Sequence, residues 1–411
     1  MSSTKESSQS EGPSLSQSDT VTACMGRFII SLPTGMVFSY GDTRMAGWQI
    51  SSISEETEEM FKARIAKREI ELSAKENARG LASLETNRNV QFPEYFGRIF
   101  SYDRTWDYHL EGKRRVDHEW FSVEAFIRRN SISFHFFKQI AKPMDLTEIE
   151  SLVSNTQTRK SLEIPSQAGF CIEDGFIVDP VFAEIRAESS VVFAGFPSRP
   201  DVAVALSSMS GAIVTTTLLQ RTANTDIRRM YPNAFRTIFT GARDINGIFG
   251  EESSESVKEL NGTRAHSYMR ESQPVGKEVM HPFLILELTT GNGRPGEPVN
   301  SSLSDKEVQA LWDQISGSLR HRPVKTPVPA TAPEKTRSDH SDAGTPCPAS
   351  GWWSCAEQAE SYQVVGGTSQ YFAAGVRMPQ AELYGPSNFF GRRTTFTLST
   401  PTRWKLVKEQ S

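Results

Sequence analysis

The sequence consists of two halves that open and close on similar elements. Each half opens on a β-rich run in which a cysteine precedes a Phe-Ile pair and a proline follows nine positions after the cysteine, at residues 24–33 and 171–180. Each half closes on an amphipathic helix pattern with acidic capping residues, beginning near Asp145 and after Ser304. Two interpretations fit this recurrence: an internal duplication, or two unrelated units that share common structural devices.

Between these ends, strand patterns follow one another with few helices between them. Strand candidates cover residues 45–53, 96–101, 120–128 and 131–139, and then 183–186, 190–196, 202–206, 213–219 and 283–288. Helix patterns cover residues 54–77, with an apolar stripe of Phe61, Ile65 and Leu72, and residues 224–239. This pattern predicts an α+β fold of two tandem domains, each a mainly antiparallel sheet with packed helices.

The chain length of 411 residues exceeds what one hydrophobic core usually serves, so we expect more than one domain. Shifts in composition along the chain set the predicted domain boundaries. We expect a Ser-, Glu- and Gln-rich leader, two domains, a Pro-rich linker and a small aromatic β-rich tail. These segments cover residues 1–22, 23–162, 163–322, 323–346 and 347–411.

Charge and hydropathy exclude several classes of partner. The chain has 45 basic and 49 acidic residues without a field of one sign, so nucleic acid is not an expected partner. No stretch approaches the roughly 20 apolar residues of a membrane-spanning helix, and no signal peptide is visible. Thr22-Ala23-Cys24 is similar to a lipoprotein cleavage site, but the apolar segment that should precede it is missing, so we do not expect lipidation.

The four cysteines allow several pairings. Cys347 and Cys355 flank a short turn-rich segment and are the candidate disulfide, which would stabilise that small loop by roughly 2.5–3 kcal/mol. The alternative is two reduced thiols in the tail. A pairing of Cys24 with Cys171 stays open. The cysteine spacing does not match a zinc site.

Motifs that carry catalysis are missing from the sequence. There is no G-x-S-x-G, H-E-x-x-H or P-loop, and residues 241–250, although Gly-rich, are predicted to form a loop. His109 and His118, with carboxylates nearby, are the best candidates for an acid–base pair or a metal site. We favour charged loops between strands for this segment, and we predict no catalytic residue, metal or cofactor.

Two segments have the composition of recognition surfaces. Residues 103–119 mix aromatic and arginine side chains, the types enriched at protein interfaces. Residues 289–300 have the composition of a projecting loop. The alternative for both is an ordinary hairpin with one buried aromatic side chain. The candidate partner-contacting residues are Trp106, Tyr108, Arg114 and Arg294.

Several of these runs together resemble the type VI secretion immunity proteins that neutralise phospholipase effectors. Cys24-x-Gly-Arg-Phe-x-Ile-x-Leu-Pro33 with Gly47-Trp48 resembles the start of their N-terminal domain, and Gly169-Phe-Cys-Ile-Glu-Asp-Gly-Phe-Ile177 the start of their C-terminal domain. The run from Cys347 to Cys355, with Met378-Pro379, is similar to an extension that some members carry.

This resemblance implies two α+β domains that clamp a lipase toxin and block substrate access or lid movement, without catalysis or a cofactor. It also implies an exported, periplasmic protein, although without a visible signal peptide a cytoplasmic protein is the alternative. The shared motifs mark core and turn positions and therefore identify no toxin-contacting residue. Two other functions stay open: an envelope hydrolase or ligand-binding protein using His109 and His118, and a scaffold that loads the effector.

Overall fold

The structure of the chain is a computed structural model. The residues it describes are 19–179, 187–223, 226–275, 278–324, 340–349, 351–355, 363–365, 369–372, 376–387, 393–397 and 402–409. They divide into two compact units, residues 1–326 and 327–411. Most of the expected leader, the strand candidate at 183–186 and most of the linker lie outside the described residues.

Within the residues that the structure describes, the first half of the larger unit contains ten strands and two helices. In chain order they are β1 (Thr20–Met25), β2 (Phe28–Pro33), β3 (Val37–Tyr40), β4 (Thr43–Met45), β5 (Trp48–Ile53), α1 (Glu58–Ser73), β6 (Leu84–Gln91), β7 (Tyr95–Glu111), β8 (Arg114–Arg129), β9 (Ile132–Ala141), α2 (Asp145–Asn155) and β10 (Thr156–Thr158).

The second half of this unit follows with nine strands and three helices among the described residues. They are β11 (Gly169–Ile172), β12 (Gly175–Val178), β13 (Glu188–Phe196), β14 (Arg199–Met209), α3 (Leu218–Ala223), α4 (Asp226–Met230), β15 (Phe235–Ile245), β16 (Ile248–Lys258), β17 (Arg264–Ser272), β18 (Phe283–Thr290), α5 (Asp305–Ser318) and β19 (Arg320–His321).

Among the described residues, one antiparallel sheet of 13 strands runs through both halves. Outward from its middle, the first half has the order β4-β5-β9-β8-β7-β6 and the second half β13-β14-β18-β17-β16-β15, with β3 paired to β13. The strand order is therefore the same in both halves, which supports internal duplication. The two expected sheets are joined edge to edge, because β13 and β4 satisfy each other's open backbone groups through pairs such as Glu188↔Met45.

The two halves exchange their opening hairpins. The hairpin β1–β2 packs into the core of the second half, and β2 also pairs with the closing strand β19. The hairpin β11–β12 packs into the core of the first half, and β12 pairs with the closing strand β10. Each half therefore completes its core with the hairpin of the other half, and neither core is complete alone.

A disulfide joins the two hairpins where they cross. Cys24 and Cys171 are bonded, with their Cα atoms 5.9 Å apart, and both residues are fully buried. Gly26 N donates to Cys171 O at 3.0 Å, and Cys171 N donates back to Gly26 O at 2.8 Å. Gly26 has φ +55°, and a Cβ atom there would lie 2.9 Å from Ser190 Oγ, so this crossing requires glycine.

A buried ion cluster lies beside the crossing. The Arg27 guanidinium bonds to Asp179 at 2.5 Å and to Glu188 at 2.7 Å, and all three side chains are buried. Because β2 begins directly after Arg27 while both carboxylates belong to the second half, this cluster also ties the exchanged hairpin to its host. These contacts raise the pKa of Arg27 despite the opposing effect of its burial.

Two further arginines occupy equivalent places after β10 and β19. Arg159 donates through Nη2 to the Ile172 carbonyl at 2.8 Å, and Arg322 donates through Nη2 to the Gly169 carbonyl at 2.8 Å. Burial, with the charges of Arg27 and Arg159, lowers the pKa of Arg322 to about 10. Main-chain oxygens thus offset the cost of burying the charges of Arg159 and Arg322, whereas carboxylates offset that cost for Arg27.

Helices cover the sheet on opposite faces. Helix α1 buries the predicted stripe of Phe61, Ile65 and Leu72 against Phe100 and Phe126, whereas α2 and α5 pack on the other face with the exchanged hairpins. The α5 capping box predicted at Ser304 and Glu307 is present. The capping box predicted at Asp145 is wrong: Met144 occupies the N-cap, and Asp145 accepts from Lys142 N at 2.6 Å.

Three segments of the second half differ from the sequence interpretation. The strand predicted at 213–219 is absent there, because the Thr217 hydroxyl accepts from Gln220 N and begins helix α3. The helix predicted at 224–239 stops at Met230, because Pro232 cannot continue it, and β15 follows. The loop predicted at 241–250 is a hairpin, because Asn246 and Gly247, with φ of 53° and 80°, form its tight turn.

The described part of the smaller unit forms two small sheets. Its described strands are β20 (His340–Asp342), β21 (Gly351–Cys355), β22 (Gln363–Val364), β23 (Ser369–Phe372), β24 (Glu382–Ser387), β25 (Arg393–Thr397) and β26 (Arg403–Glu409). Trp353 and Trp404 are fully buried in its core, with Cys347 and Cys355 beside them. The structure does not join these two cysteines to each other, so the bridge that does form is the pairing left open by the sequence, Cys24 with Cys171.

Removing the disulfide should destabilise the larger unit strongly. We expect C24A/C171A to lower its free energy of unfolding by roughly 3–5 kcal/mol, because the bond closes a long loop, with 147 residues of sequence separation. Guanidinium unfolding measures the loss, with C347A/C355A in the other unit as the control. Non-reducing peptide mapping should recover Cys24 and Cys171 in one cross-linked fragment. Equal stability of C24A/C171A and the parent would contradict the assignment.

The buried ion cluster gives a second prediction. We expect R27M to cost roughly 3–5 kcal/mol of unfolding free energy, because it removes the buried cation that these two buried carboxylates share. The exposed pair of Arg115 and Asp117, 2.7 Å apart, supplies the matched control. R115M should cost less than about 1 kcal/mol. Similar losses in both variants, measured by urea unfolding, would show that the cluster has no special role.

Candidate functional site

A two-stranded ribbon formed by β7 and β8 extends beyond the sheet. Pairing of β7 with β6 stops at Tyr102, and pairing of β8 with β9 stops at Phe121. In the described part of the chain, the strand residues from Thr105 to Trp120 pair only with one another. We call residues 103–119 the ribbon. Its turn contains Gly112 with φ 64°, as the Gly in the sequence predicts.

One face of the ribbon is aromatic and basic. Trp106, Tyr108 and Leu110 alternate along β7 and therefore share this face. The Arg115 guanidinium lies 4.1 Å from the Tyr108 ring centroid, and the Arg79 guanidinium lies 3.7 Å from that of Trp106. Tyr108 is 52% exposed and Leu110 63% exposed. Cations stacked on exposed aromatic rings give a preorganised surface of the kind that recognises proteins.

The other face of the ribbon brings together the two histidines that the sequence singled out. The His109 and His118 rings stack with centroids 4.7 Å apart, and His109 Nδ1 lies 2.6 Å from His118 Nε2. Glu111 Oε1 lies 3.3 Å from His109 Nε2. These side chains lie open to solvent on a strand pair rather than in a cleft, whereas active sites are concave. Among the described residues, no group of three or more His, Cys, Asp or Glu could hold a metal ion.

The remaining two candidate residues lie apart. Arg114 pairs with Glu111 at the tip of the ribbon, where β7 ends and β8 begins. Arg294 lies in the exposed loop after β18. Because every neighbouring pair in the sheet is antiparallel, the end of β7 and the end of β18 point to opposite ends of the strands. The structure therefore places Trp106, Tyr108 and Arg114 on the ribbon, with Arg114 on the histidine face and the two aromatic side chains on the other face, and it separates Arg294 from them.

A third arrangement, missed from the sequence, resembles a catalytic triad. His266 Nδ1 lies 2.8 Å from Thr290 Oγ1, and His266 Nε2 lies 2.8 Å from Asp305 Oδ1. His266 and Thr290 are each 2% exposed, and the Thr290 hydroxyl also accepts from His266 N at 3.0 Å. The hydrogen bond from His266 lowers the pKa of Asp305. With its hydroxyl buried and already bonded, this group fastens the start of α5 to β17 and β18.

Arg79 is the other contributor that sequence reasoning missed. It lies after α1, far from the ribbon in sequence, and no local pattern points from it to Trp106. His266, Thr290 and Asp305 are likewise spread over three elements. Within the described residues, no helix is long and apolar enough to cross a membrane.

Comparison with protein families matches both halves of the larger unit. Residues 21–163 match the family described as Tle cognate immunity protein 4, N-terminal domain, and residues 163–324 match its C-terminal domain. No curated protein sequence matches the chain significantly.

Solved structures match over the same extent. The apo structure of immunity protein TplEi of T6SS from Pseudomonas aeruginosa is 23% identical, with a TM-score of 0.61, covering 76% of this chain and 100% of that one. The same protein complexed with "L" peptide is 22% identical, with a TM-score of 0.59, covering 75% and 100%. The Tle4–Tli4 complex is 22% identical, with a TM-score of 0.61, covering 75% of this chain and 100% of that one. At these identities the likeness establishes the fold.

The two family matches adjoin and together span most of the chain. The fold and these matches define a cognate immunity protein of the two-domain type. The chain belongs to the family Tle cognate immunity protein 4, which confirms the resemblance drawn from its opening motifs.

Proposed function

We propose that this chain binds a cognate type VI secretion phospholipase effector and inhibits it by clamping it and blocking substrate access. The observation that carries the proposal is the family match, which extends over both halves of the larger unit, from residue 21 to residue 324. One structure with this fold is the Tle4–Tli4 complex. We place residues 23–162 and 163–322 as the two domains of the clamp.

The architecture of the larger unit supports stoichiometric inhibition. A clamp must hold its shape against the partner, because flexibility lost on binding lowers affinity. Here the continuous sheet, the exchanged hairpins and the Cys24–Cys171 bond resist separation of the halves. The inhibitor therefore presents a preformed surface.

We propose the ribbon as the main effector-contacting element, through Trp106, Tyr108 and Arg114. Its aromatic side chains are already ordered by stacked guanidinium groups, which reduces the entropy lost on binding. Arg294, at the opposite end of the strands, is proposed as a separate contact. Because the two regions lie at opposite ends of the strands, separate variants test them.

We further propose that the protein acts in the periplasm. The buried bond between Cys24 and Cys171 supports this compartment, since structural disulfides form and persist under oxidising conditions. A non-catalytic role is supported by the two histidine arrangements. The His109–His118 pair lies open on a ribbon, and the Thr290 hydroxyl beside His266 is buried.

Inhibition is tested with a purified candidate phospholipase effector. We expect phospholipid hydrolysis to fall linearly on titration and to vanish near one equivalent of inhibitor, with a stable complex on size-exclusion chromatography. Full hydrolysis in the presence of excess inhibitor would falsify the proposal. A complex that forms without inhibition would instead identify a loading scaffold.

Ribbon variants test the contact surface. We expect W106A/Y108A to weaken effector binding at least 100-fold, since buried aromatic anchors contribute roughly 2–4 kcal/mol each. The matched control is L260A, which alters an 86% exposed side chain in the loop between β16 and β17, the equivalent of the ribbon turn in the second half. Calorimetry measures both affinities. Unchanged affinity in W106A/Y108A would remove the ribbon from the interface.

Three more variants separate the remaining possibilities. R114A and R294A, measured singly, should each lower affinity if both ends of the sheet touch the effector, and an effect of R114A alone would confine the interface to the ribbon. H109A/H118A should retain most inhibition, because those rings occupy the opposite face from Trp106 and Tyr108. Loss of a measurable hydrolytic activity in H109A/H118A would instead support the enzyme alternative.

A further inference from the structure

The sheet ends at β6 with an open edge. Among the described residues, β6 pairs only with β7, so its other side carries unpaired backbone groups. Phe92 N donates to Tyr95 O at 2.8 Å, and from there hydrogen-bonded pairs alternate with non-bonded pairs along the antiparallel ladder. The N–H and C=O groups of Asn87, Asn89 and Gln91 therefore point away from β7 and lie open at the edge.

A groove lies along each face of this edge. The groove of about 750 Å³ between β6 and α2 is called the α2 groove, and its apolar lining consists of Val90, Phe92, Tyr95, Ile99 and Val153. The groove of about 550 Å³ between β6 and α1 is called the α1 groove, and its apolar lining includes Phe61, Ile65 and Phe96. Residues 89–91 line both grooves. The two grooves therefore meet at the part of β6 that carries open backbone groups.

The charged side chains that line these grooves already have partners. The ion pairs are Arg88 with Glu150 at the α2 groove, and Lys62 with Glu58 and Arg98 with Glu69 at the α1 groove. Among the described residues, neither groove therefore offers a free charge to an occupant. Burying a charged side chain without a partner costs free energy. Uncharged side chains are thus the ones that both grooves accept.

We propose that an extended, uncharged segment of the effector adds to the edge of β6 as a further strand of the sheet. Its backbone pairs with the open N–H and C=O groups of Asn87, Asn89 and Gln91. Its side chains alternate between the two grooves, because successive side chains of a strand point to opposite faces, and apolar ones fill the α2 groove. The bulge between Leu84 and Thr86 interrupts the regular edge, so the added strand has about six residues.

This inference rests on the proposed inhibitory function, since the effector supplies the added strand. It gives the inhibitor a second kind of contact. The ribbon presents side chains, whereas β6 presents backbone groups that recognise an extended chain. The grooves lie where β7 begins, near Tyr95, and the ribbon begins only after Tyr102. Variants can therefore alter the two contacts separately.

Proline at an outward-facing position tests the strand addition, because it removes one open N–H and leaves the pairing with β7 in place. We expect N89P to weaken binding of the purified candidate effector at least about tenfold, as measured by calorimetry. N89A keeps the N–H group and should bind at least about fivefold more tightly than N89P. Equal weakening by N89A and N89P would assign the effect to the side chain and overturn the proposal.

The matched control is A242P on β15, the strand at the opposite end of the sheet. Phe249 O accepts from Gln273 N at 3.4 Å and so points away from β15. Its pair with Asp244 is therefore non-bonded, and Ala242, two residues before Asp244, also points its N–H group outward. A242P makes the same backbone change on the other edge and should bind the effector as the parent does.

Hydrogen exchange in the unsubstituted protein gives a second measurement, which decides the question even if N89P does not fold. The amides of Asn87, Asn89 and Gln91 should exchange fast in the free protein and at least about tenfold more slowly in the complex. The inward-facing amides of Arg88 and Val90 should be protected in both states, because they bond to β7.

Two results overturn the strand addition while the parent still binds and inhibits the effector. One is fast exchange of the three outward-facing amides in the complex. The other is a folded N89P that binds as tightly as the parent. Both leave the proposed inhibitory function in place. A parent that binds no effector instead removes that function, and the strand addition with it.

Discussion

The crossing of the two hairpins at Cys24 and Cys171 is the constraint on which the larger unit depends. The backbone bridge between Gly26 and Cys171 brings the hairpins together, the disulfide fixes them, and Arg27 connects the first hairpin to carboxylates of the second half. From this point each hairpin extends into the core of the opposite half. The edge pairing of β4 with β13 then makes the sheet continuous.

Local structure could be predicted from the sequence where one face of an element is clearly apolar. The stripe of α1, the capping box of α5 and the turn at Gly112 follow from spacing and residue type alone. Strands β6 and β16 were missed because their sequences, LETNRNVQ and IFGEESSESVK, are largely polar. Many of these polar positions of β16 are buried, including Glu252, which accepts from Trp312 Nε1 at 2.9 Å and from Arg243. Tertiary partners make such a strand possible, and they are invisible in a local window.

The candidate site was predictable in composition but not in arrangement. The aromatic and arginine content of 103–119 identified the ribbon, because those residue types lie close together in the chain. The stacking of Arg79 on Trp106 and the separation of Arg294 depend on strand order and direction, which hydrophobic periodicity does not specify. The hairpin exchange is equally non-local. The recurring Cys-to-Pro run predicted both hairpins, yet no residue pattern in either run indicates that the hairpin packs on the other half.

The exchange has a consequence for how such a chain can originate and assemble. If the chain were divided in the connection between β10 and β11, the larger unit would have the topology of a domain-swapped dimer. In that dimer, two similar protomers exchange their first hairpins. Joining the protomers in one chain replaces an encounter between molecules by an encounter within one molecule, so assembly no longer depends on concentration. It also imposes an order on synthesis. The hairpin β1–β2 is synthesised first, but the core into which it packs forms only after β13–β18 and α5 have been synthesised. This hairpin is therefore buried only when almost the whole unit has been made.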